Sequence, residues 1–534
     1  MNGYAGTRAS LLLAFLQVWM CRFRRIDDRC LAAMRICLAC VLLWDIHRGW
    51  VLADDWLAMQ AYDQWPLPFG QQDPALSLRV ALALLGTATV ALLVGWHSRW
   101  TVFVVWFGAC SYQYASRYTI DYHDALVCQL LLWSLVLPIG RRWSIDALRQ
   151  RAPGSWPAWL SSTAALGLLA MICWIYLTTF ISKDGPAWWS QGHAVRLAVA
   201  DRAVARPLGM WCVQHLPDQW FRLLTWGALL VEILVPVLVL TARDRCRNVA
   251  ALLVAGLHLS MWLLMDLGAF PLAMMGVAAV LYLPRARTIT AAQRSDATAW
   301  VARIWVARLL TGLLAINLLL AIDDERQFRW PVEPDTALAR WLRRGHTFLA
   351  AEPVWAMYAP EPLRFTGWWV PVGKTLEGEL VDPLTGGPPT IKAPSAVESS
   401  LRWAYLGNPP SSSTASDAAA SPRAATTTDP ASGPEVSAGT TQQAYLRFFL
   451  RQRSEQAALP AFAWLGLVYV YEVLEGPDRG RLVPLLSARW PEDLPAIQIA
   501  DALQRPVFQL QASRLGDAHW TPAQVAVPAS ASAL

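Results

Sequence analysis

Between residues 31 and 322 the chain alternates apolar runs of about 16 to 22 residues with short clusters of charge, and a helix of that length crosses the hydrocarbon core of a bilayer. The runs predict spans over residues 31–47, 77–95, 100–115, 124–140, 162–182, 223–241, 248–266, 268–284 and 302–322. From Asp323 onward the runs shorten and strand-like stretches take over, as in Trp368–Val372, Gly378–Val381 and Leu465–Val473. Residues 410–440 are Ser, Thr, Ala and Pro with almost nothing large and apolar, a composition that cannot bury a core. The run YLRFFLRQ, before the last of these strands, reads as helical.

The expected fold is an all-α polytopic membrane bundle of about nine transmembrane helices with a small C-terminal extramembrane α+β domain. Its parts are an N-terminal cytoplasmic or interfacial segment (1–27), the transmembrane domain (28–322), a first outer part (323–409), a disordered linker (410–440) and a second outer part (441–534). Residues 10–20 (SLLLAFLQVWM) have the apolar content of a signal peptide. Arg22, Arg24 and Arg25 follow them with no small-residue cleavage site, so an interfacial helix is expected.

Charge refines this picture. Only 16% of the 534 residues are charged, where a soluble chain carries about a quarter, and the mean hydropathy is +0.31. Loops holding Arg99, then Arg141, Arg142, Arg149 and Arg151, then Arg243, Arg245 and Arg247, then Arg285, Arg287 and Arg294 alternate with loops holding Asp54, Asp55, Asp63 and Asp73, or Asp121 and Asp124. The positive-inside rule makes the N-terminus cytoplasmic and the C-terminal part external, in a multi-pass membrane protein. One loop disobeys: residues 183–222 hold Lys183, Arg196, Arg202, Arg206 and Arg222, which an anionic ligand or a solvated helix face would explain. Trp96, Trp100, Trp143, Trp188, Trp189, Trp220 and Trp300 stand near run ends, as an interfacial belt requires. The net charge of +6 forms no basic stripe, so no nucleic-acid partner is expected; membrane lipid is the expected surroundings. Nearly all of the nine cysteines lie in or beside apolar runs, where thiols act as small hydrophobes, and Cys37 and Cys40 have no second pair, so no metal is expected.

Ionisable groups inside spans are costly and therefore candidates for function or for mutual pairing. Arg35 and Asp45 lie near one face of the first span and read as a structural pair. Glu232 stands in mid-span, His258 and Asp266 lie two turns apart, and His123 lies between Asp121 and Asp124 at an external mouth.

The order Arg35-x9-Asp45-Ile46, Gly95-x3-Arg99, Trp143-Ser144-Ile145-Asp146, Tyr176-x6-Lys183-x4-Trp188-x3-Gly192 and His258-x9-Gly268-x-Phe270 resembles the vitamin K-dependent gamma-carboxylase family, and more broadly the bacterial membrane proteins that share its HTTM domain. The resemblance covers about residues 28–285, and Trp355-x-Met357-Tyr358-x-Pro360-x-Pro362 is similar to a further segment of bacterial HTTM members. It implies an isoprenoid quinol of the vitamin K or menaquinol type as cofactor and a protein or peptide substrate on the outer side. Lys183 matches the lysine that deprotonates the quinol. Oxygen then adds, the resulting alkoxide takes a proton from the γ-carbon of a glutamyl residue, and the carbanion attacks carbon dioxide. His258 matches a histidine deep in the domain and is the second catalytic candidate; Trp188, Gly192 and His123 are the candidates for shaping the quinol site. The chain departs from the family at Ser182, where the carboxylase has a second lysine, and no cysteine follows Cys246.

Composition singles out Lys183 independently. The chain has three lysines (Lys183, Lys374 and Lys392) among its 45 Lys+Arg, and Lys183 alone lies in the membrane region. A base must release its own proton, which arginine effectively cannot. The alternatives are a lysine snorkelling at a helix end and, for the whole chain, a non-catalytic membrane component that binds lipid, quinone or a partner protein. No inverted repeat or matching pair of Gly/Pro-broken spans is visible, which argues against a transporter.

Overall fold

The computed structural model describes residues 19, 23, 25–51, 53, 74–115, 122–149, 159–161, 163–202, 204–284, 357–362, 364–383, 387, 462–474 and 482–490. It is mostly helical, with a small sheet. In chain order the elements are β1 (Arg25–Asp27), α1 (Asp28–Val51), α2 (Pro74–Val94), α3 (Ser98–Ala115), α4 (Tyr122–Ser134), α5 (Ile145–Arg149), β2 (Trp159–Ser161), α6 (Thr163–Ser182), α7 (Ala194–Ala200), α8 (Pro207–His215), α9 (Asp218–Leu240), α10 (Asp244–Leu264) and α11 (Phe270–Leu281). The strands β3 (Phe365–Thr375), β4 (Leu380–Val381), β5 (Phe462–Val473) and β6 (Leu482–Trp490) follow.

Five helices, Asp28–Val51, Leu76–Val94, Ala164–Ser182, Asp218–Leu240 and Asp244–Leu264, are long and apolar enough to cross a membrane among the described residues. Predicted runs 100–115, 124–140 and 268–284 are also helical, but α3 ends in polar residues and α4 and α11 are short. The run at 302–322, the 410–440 linker, Trp300 and YLRFFLRQ lie outside the described residues.

Helix α9 illustrates the packing logic. Thr225, Ala228, Leu229, Glu232, Val235, Pro236 and Val239 recur at helical spacing and are buried, whereas Leu223, Leu230, Val237 and Leu240 are exposed. An element apolar on its outward face suits a lipid surround, where burial is not the hydrophobic force that holds helices together. Pro236 inside the helix is tolerated in such spans because neighbours re-satisfy the freed backbone. Helix α9 packs on α6 and α10, α11 on α10 and α1, and α1 on α2.

Strand β1 pairs antiparallel with β2, Ile26 opposite Leu160, so α1 and α6 begin at the same end of the bundle. At that starting end two buried arginines staple loops. Arg35, fully buried, donates to the carbonyls of Ile139 (3.0 Å), Arg142 (3.4 Å) and Trp143 (2.5 Å). Arg247 of α10 donates to the carbonyls of Phe23 (3.4 Å), Arg25 and Val280 (3.2 Å). Asp146 accepts from the amides of His97 (2.9 Å) and Ser98 (2.7 Å), which start α3. Gly95 ends α2 with φ +66°, pressed between Ser144 and Arg35, so no side chain would fit there. Trp96, Trp100 and Trp143 are exposed at this end, as an interfacial belt would be.

The four-stranded antiparallel sheet has the order β4-β3-β5-β6. Strands β3 and β5 pair along their whole length, Phe365 opposite Val473 and Trp369 opposite Tyr469, with an irregularity at Lys374/Thr375. One sheet thus holds strands from both expected outer parts.

Candidate functional site

The far end of α6 carries the site. Lys183 follows the last helical residue, and its ammonium donates to Glu232 Oε1, from the inner face of α9. Both are buried, at 4% and 3% exposure. Lys183 Nζ also lies 4.3 Å from the centre of the Trp188 ring, a cation–π contact that gains strength when water is excluded. Burial pulls the Lys183 ammonium below its ordinary pKa range, and the Glu232 carboxylate pushes it back up.

One layer deeper, the Tyr176 hydroxyl and His258 Nε2 lie 3.1 Å apart, and the His258 ring meets Phe270 edge-on at 5.4 Å. Tyr176 lies two turns before Lys183 on α6, which puts the two side chains on one face. Glu232 Oε2 and His258 Nδ1 are buried and have no hydrogen-bond partner among the described residues. Unsatisfied buried acceptors and donors are expensive, and here they leave two polar atoms ready for a ligand.

The loop after Lys183 is fastened by its own backbone. Trp189 Nε1 donates to the Lys183 carbonyl at 2.7 Å, and the amides of His193 and Ala194 donate to the Ala187 carbonyl. Gly192 turns with φ +70°, and a Cβ there would lie 3.0 Å from Arg222 Cγ. Residues 357–362 and 364–366 dock on this loop. Trp188 Nε1 donates to the Tyr358 carbonyl (3.0 Å), the Gly185 amide to the Pro360 carbonyl (3.1 Å), and the Ala187 amide to Glu361 Oε2 (3.1 Å). Thr366 Oγ1 donates to Asp201 Oδ1 (2.6 Å) and accepts from the Arg202 amide (2.9 Å). Burial raises the Tyr358 phenol above its ordinary pKa, with the Asp201 charge adding to it.

The sequence motifs therefore sort into two groups in space. Arg35, Gly95, Trp143 and Asp146 meet at the starting end of α1; Tyr176, Lys183, Trp188, Gly192, His258 and Phe270 meet at the other. Residues 23–285 match the model of the HTTM domain. The chain is an HTTM-domain protein. No curated protein and no solved structure matches the chain.

Within the HTTM domain, three expectations are revised. Arg35 and Asp45 do not pair: ten residues of helix separate them by about 15 Å, and Arg35 binds carbonyls while Asp45 Oδ1 lies 3.0 Å from His123 Nε2. Trp188 faces inward on Lys183, unlike the exposed Trp189 and Trp220, so it is no belt residue. Three of the basic loop's five cations meet anions within the protein, Arg196 on Asp218 (3.2 Å), Arg206 on Asp266 (3.4 Å) and Lys183 on Glu232. His123 stands at the α10–α11 turn, where a Cβ on Gly268 would approach its Cε1 at 3.8 Å, and its Nε2 is taken up by Asp45.

Glu232 is the site residue that sequence reasoning left without a role. Its signal was legible: a lone lysine in a membrane region calls for a carboxylate at comparable depth, and Glu232 stands in mid-span.

Proposed function

We propose that this HTTM-domain protein is a vitamin K-dependent gamma-carboxylase-like enzyme, a lyase-type carboxylase that oxidises an isoprenoid quinol to its epoxide and carboxylates a glutamyl residue. The observation that carries the reading is the buried Lys183–Glu232 pair, with Trp188 over the amine. In this reading the chain spans a bacterial inner membrane with about nine helices, its N-terminus is cytoplasmic, and the C-terminal α+β part and the mouth at Lys183 face outward.

The fit to a quinol rests on polarity. Its tail belongs among apolar helices and its ring at a polar mouth, where Glu232 Oε2 and His258 Nδ1 are buried without partners among the described residues. Bound there with dioxygen, the quinol supplies the strong base that the substrate's γ-carbon requires; with carbon dioxide and glutamate the products are the epoxide, water and the carboxylated residue. Lys183 Nζ takes the proton from the quinol hydroxyl. Glu232 holds the amine at the mouth, and the proton that Lys183 must first lose can pass to its carboxylate. Trp188 and Gly192 shape the mouth and exclude water, while His258, held by Tyr176, orients a quinol oxygen.

One observation favours the rival reading of a non-catalytic component: Lys183 is already charge-compensated by Glu232, as a structural ion pair would be. Quinol-dependent oxygen uptake and epoxide formation, in membranes holding wild type or Lys183→Arg, separate the two. Epoxide from wild type alone supports the enzyme. No epoxide from well-assembled wild-type protein across several quinols moves the assignment to the binding component.

A further inference from the structure

We propose that Asp45, His123 and Asp124 form a binding site for one divalent transition cation of the zinc type. The proposal is independent of the quinol reading. Asp45 comes from the second half of α1, and His123 and Asp124 from the first turn of α4, so 78 positions separate the two parts. His123 Nε2 lies 3.0 Å from Asp45 Oδ1 and 3.7 Å from Asp124 Oδ1. One donor atom from each residue falls within 4.8 Å of the other two. Zinc held by nitrogen and oxygen at about 2.0–2.2 Å spaces its tetrahedral ligands by roughly 3.3–3.6 Å. The three side chains therefore need only small adjustments to share an ion.

A second observation points to a ligand. Asp45 is 8% exposed, and its Oδ2 is buried with no hydrogen-bond partner among the described residues. A simple Asp–His hydrogen bond occupies Oδ1 and leaves Oδ2 without a partner among the described residues. That omission is expensive for a carboxylate removed from water. A cation between the side chains would answer it. Two carboxylates and a neutral imidazole carry a charge of minus two, which one divalent ion cancels. The donor set narrows the choice further. Imidazole suits zinc and its neighbours, carboxylate suits zinc and manganese, and none of the three donors is a thiolate. Three protein ligands leave a fourth position for water, the pattern of zinc sites that exchange ligands. Spacing along one segment gives no sign of the site, because Asp45 arrives from another helix.

The test uses full-length protein in detergent, purified through a tag free of histidine, stripped with chelator, incubated with Zn²⁺ and desalted. Elemental analysis is expected to find about one zinc per chain, falling to background in Asp45→Asn and in His123→Gln. A variant can also lose metal by misfolding, so Co²⁺ is added to wild type alone. Visible ligand-field bands that Zn²⁺ displaces, without a near-ultraviolet thiolate band, are expected from a nitrogen and oxygen site. Three results would overturn the proposal: no zinc kept by folded wild type, zinc kept undiminished by both folded variants, or a cobalt spectrum carrying the thiolate band.

Discussion

The ammonium of Lys183 and the carboxylate of Glu232 meet in a buried pair although 49 positions separate them. Lys183 is fixed at the end of α6, and Glu232 reaches it from the middle of α9 because α9 turns Glu232 inward and Leu223, Leu230 and Leu240 outward. Such a pair is held by mutual compensation: either charge alone would be buried without an answer.

That compensation predicts an asymmetry. Glu232→Leu alone strands the ammonium and is expected to cost about 3–5 kcal/mol, while Lys183→Met with Glu232→Leu is expected to fall near neutral. Thermal unfolding in detergent of both singles and the double measures it. The double variant, assembled but silent in the epoxide assay, would separate catalysis from folding; a double no better than the singles would refute the buried pair.

The pair also sets a pH dependence. A base works deprotonated, so the rate should rise with pH through the Lys183 pKa, which burial holds below the ordinary lysine range. Glu232 pushes that pKa up, so Glu232→Gln should move the acidic limb of the rate profile to lower pH. A limb that keeps its place in the variant would mean that Lys183 is not the titrating group.

Gly192 offers a backbone test. Its φ of +70° and the 3.0 Å approach to Arg222 predict that Gly192→Ala costs about 1–2 kcal/mol. The effect should centre on the loop after Lys183, read as faster amide exchange at His193 and Ala194 than at α11.

At the other end, Arg35→Leu removes the donor to three carbonyls at once. Losses of about 1–3 kcal/mol per stranded buried group predict a protein that assembles poorly. Asp45→Asn, ten residues along the same helix, should spare the Arg35 contacts. Equal assembly defects in both would revive a direct pairing of Arg35 with Asp45.

Residues 357–362 should behave as part of the mouth. Glu361→Ala leaves the Ala187 amide without its acceptor, at an expected cost of about 1 kcal/mol, and should speed proteolysis between the bundle and the sheet. Cleavage unchanged from wild type would show the docking to be dispensable.

The sequence by itself determined the elements whose signals are local. Run length and the lipid-matching of apolar residues marked the helices, β-alternation marked β3 and β5, and being the one lysine of the membrane region marked Lys183, because each signal is read along the chain without knowing what packs against what. It could not say which buried charges meet. Arg35 and Asp45 share a helix face yet are too far apart along it to touch, and their actual partners come from loops and from α4. Trp188 and Trp189 are neighbours of one type, one turned onto Lys183 and the other outward. Those choices were decided by tertiary structure, because a buried charge takes whichever partner packing brings within hydrogen-bond reach, and reach across helices is not written in any one of them.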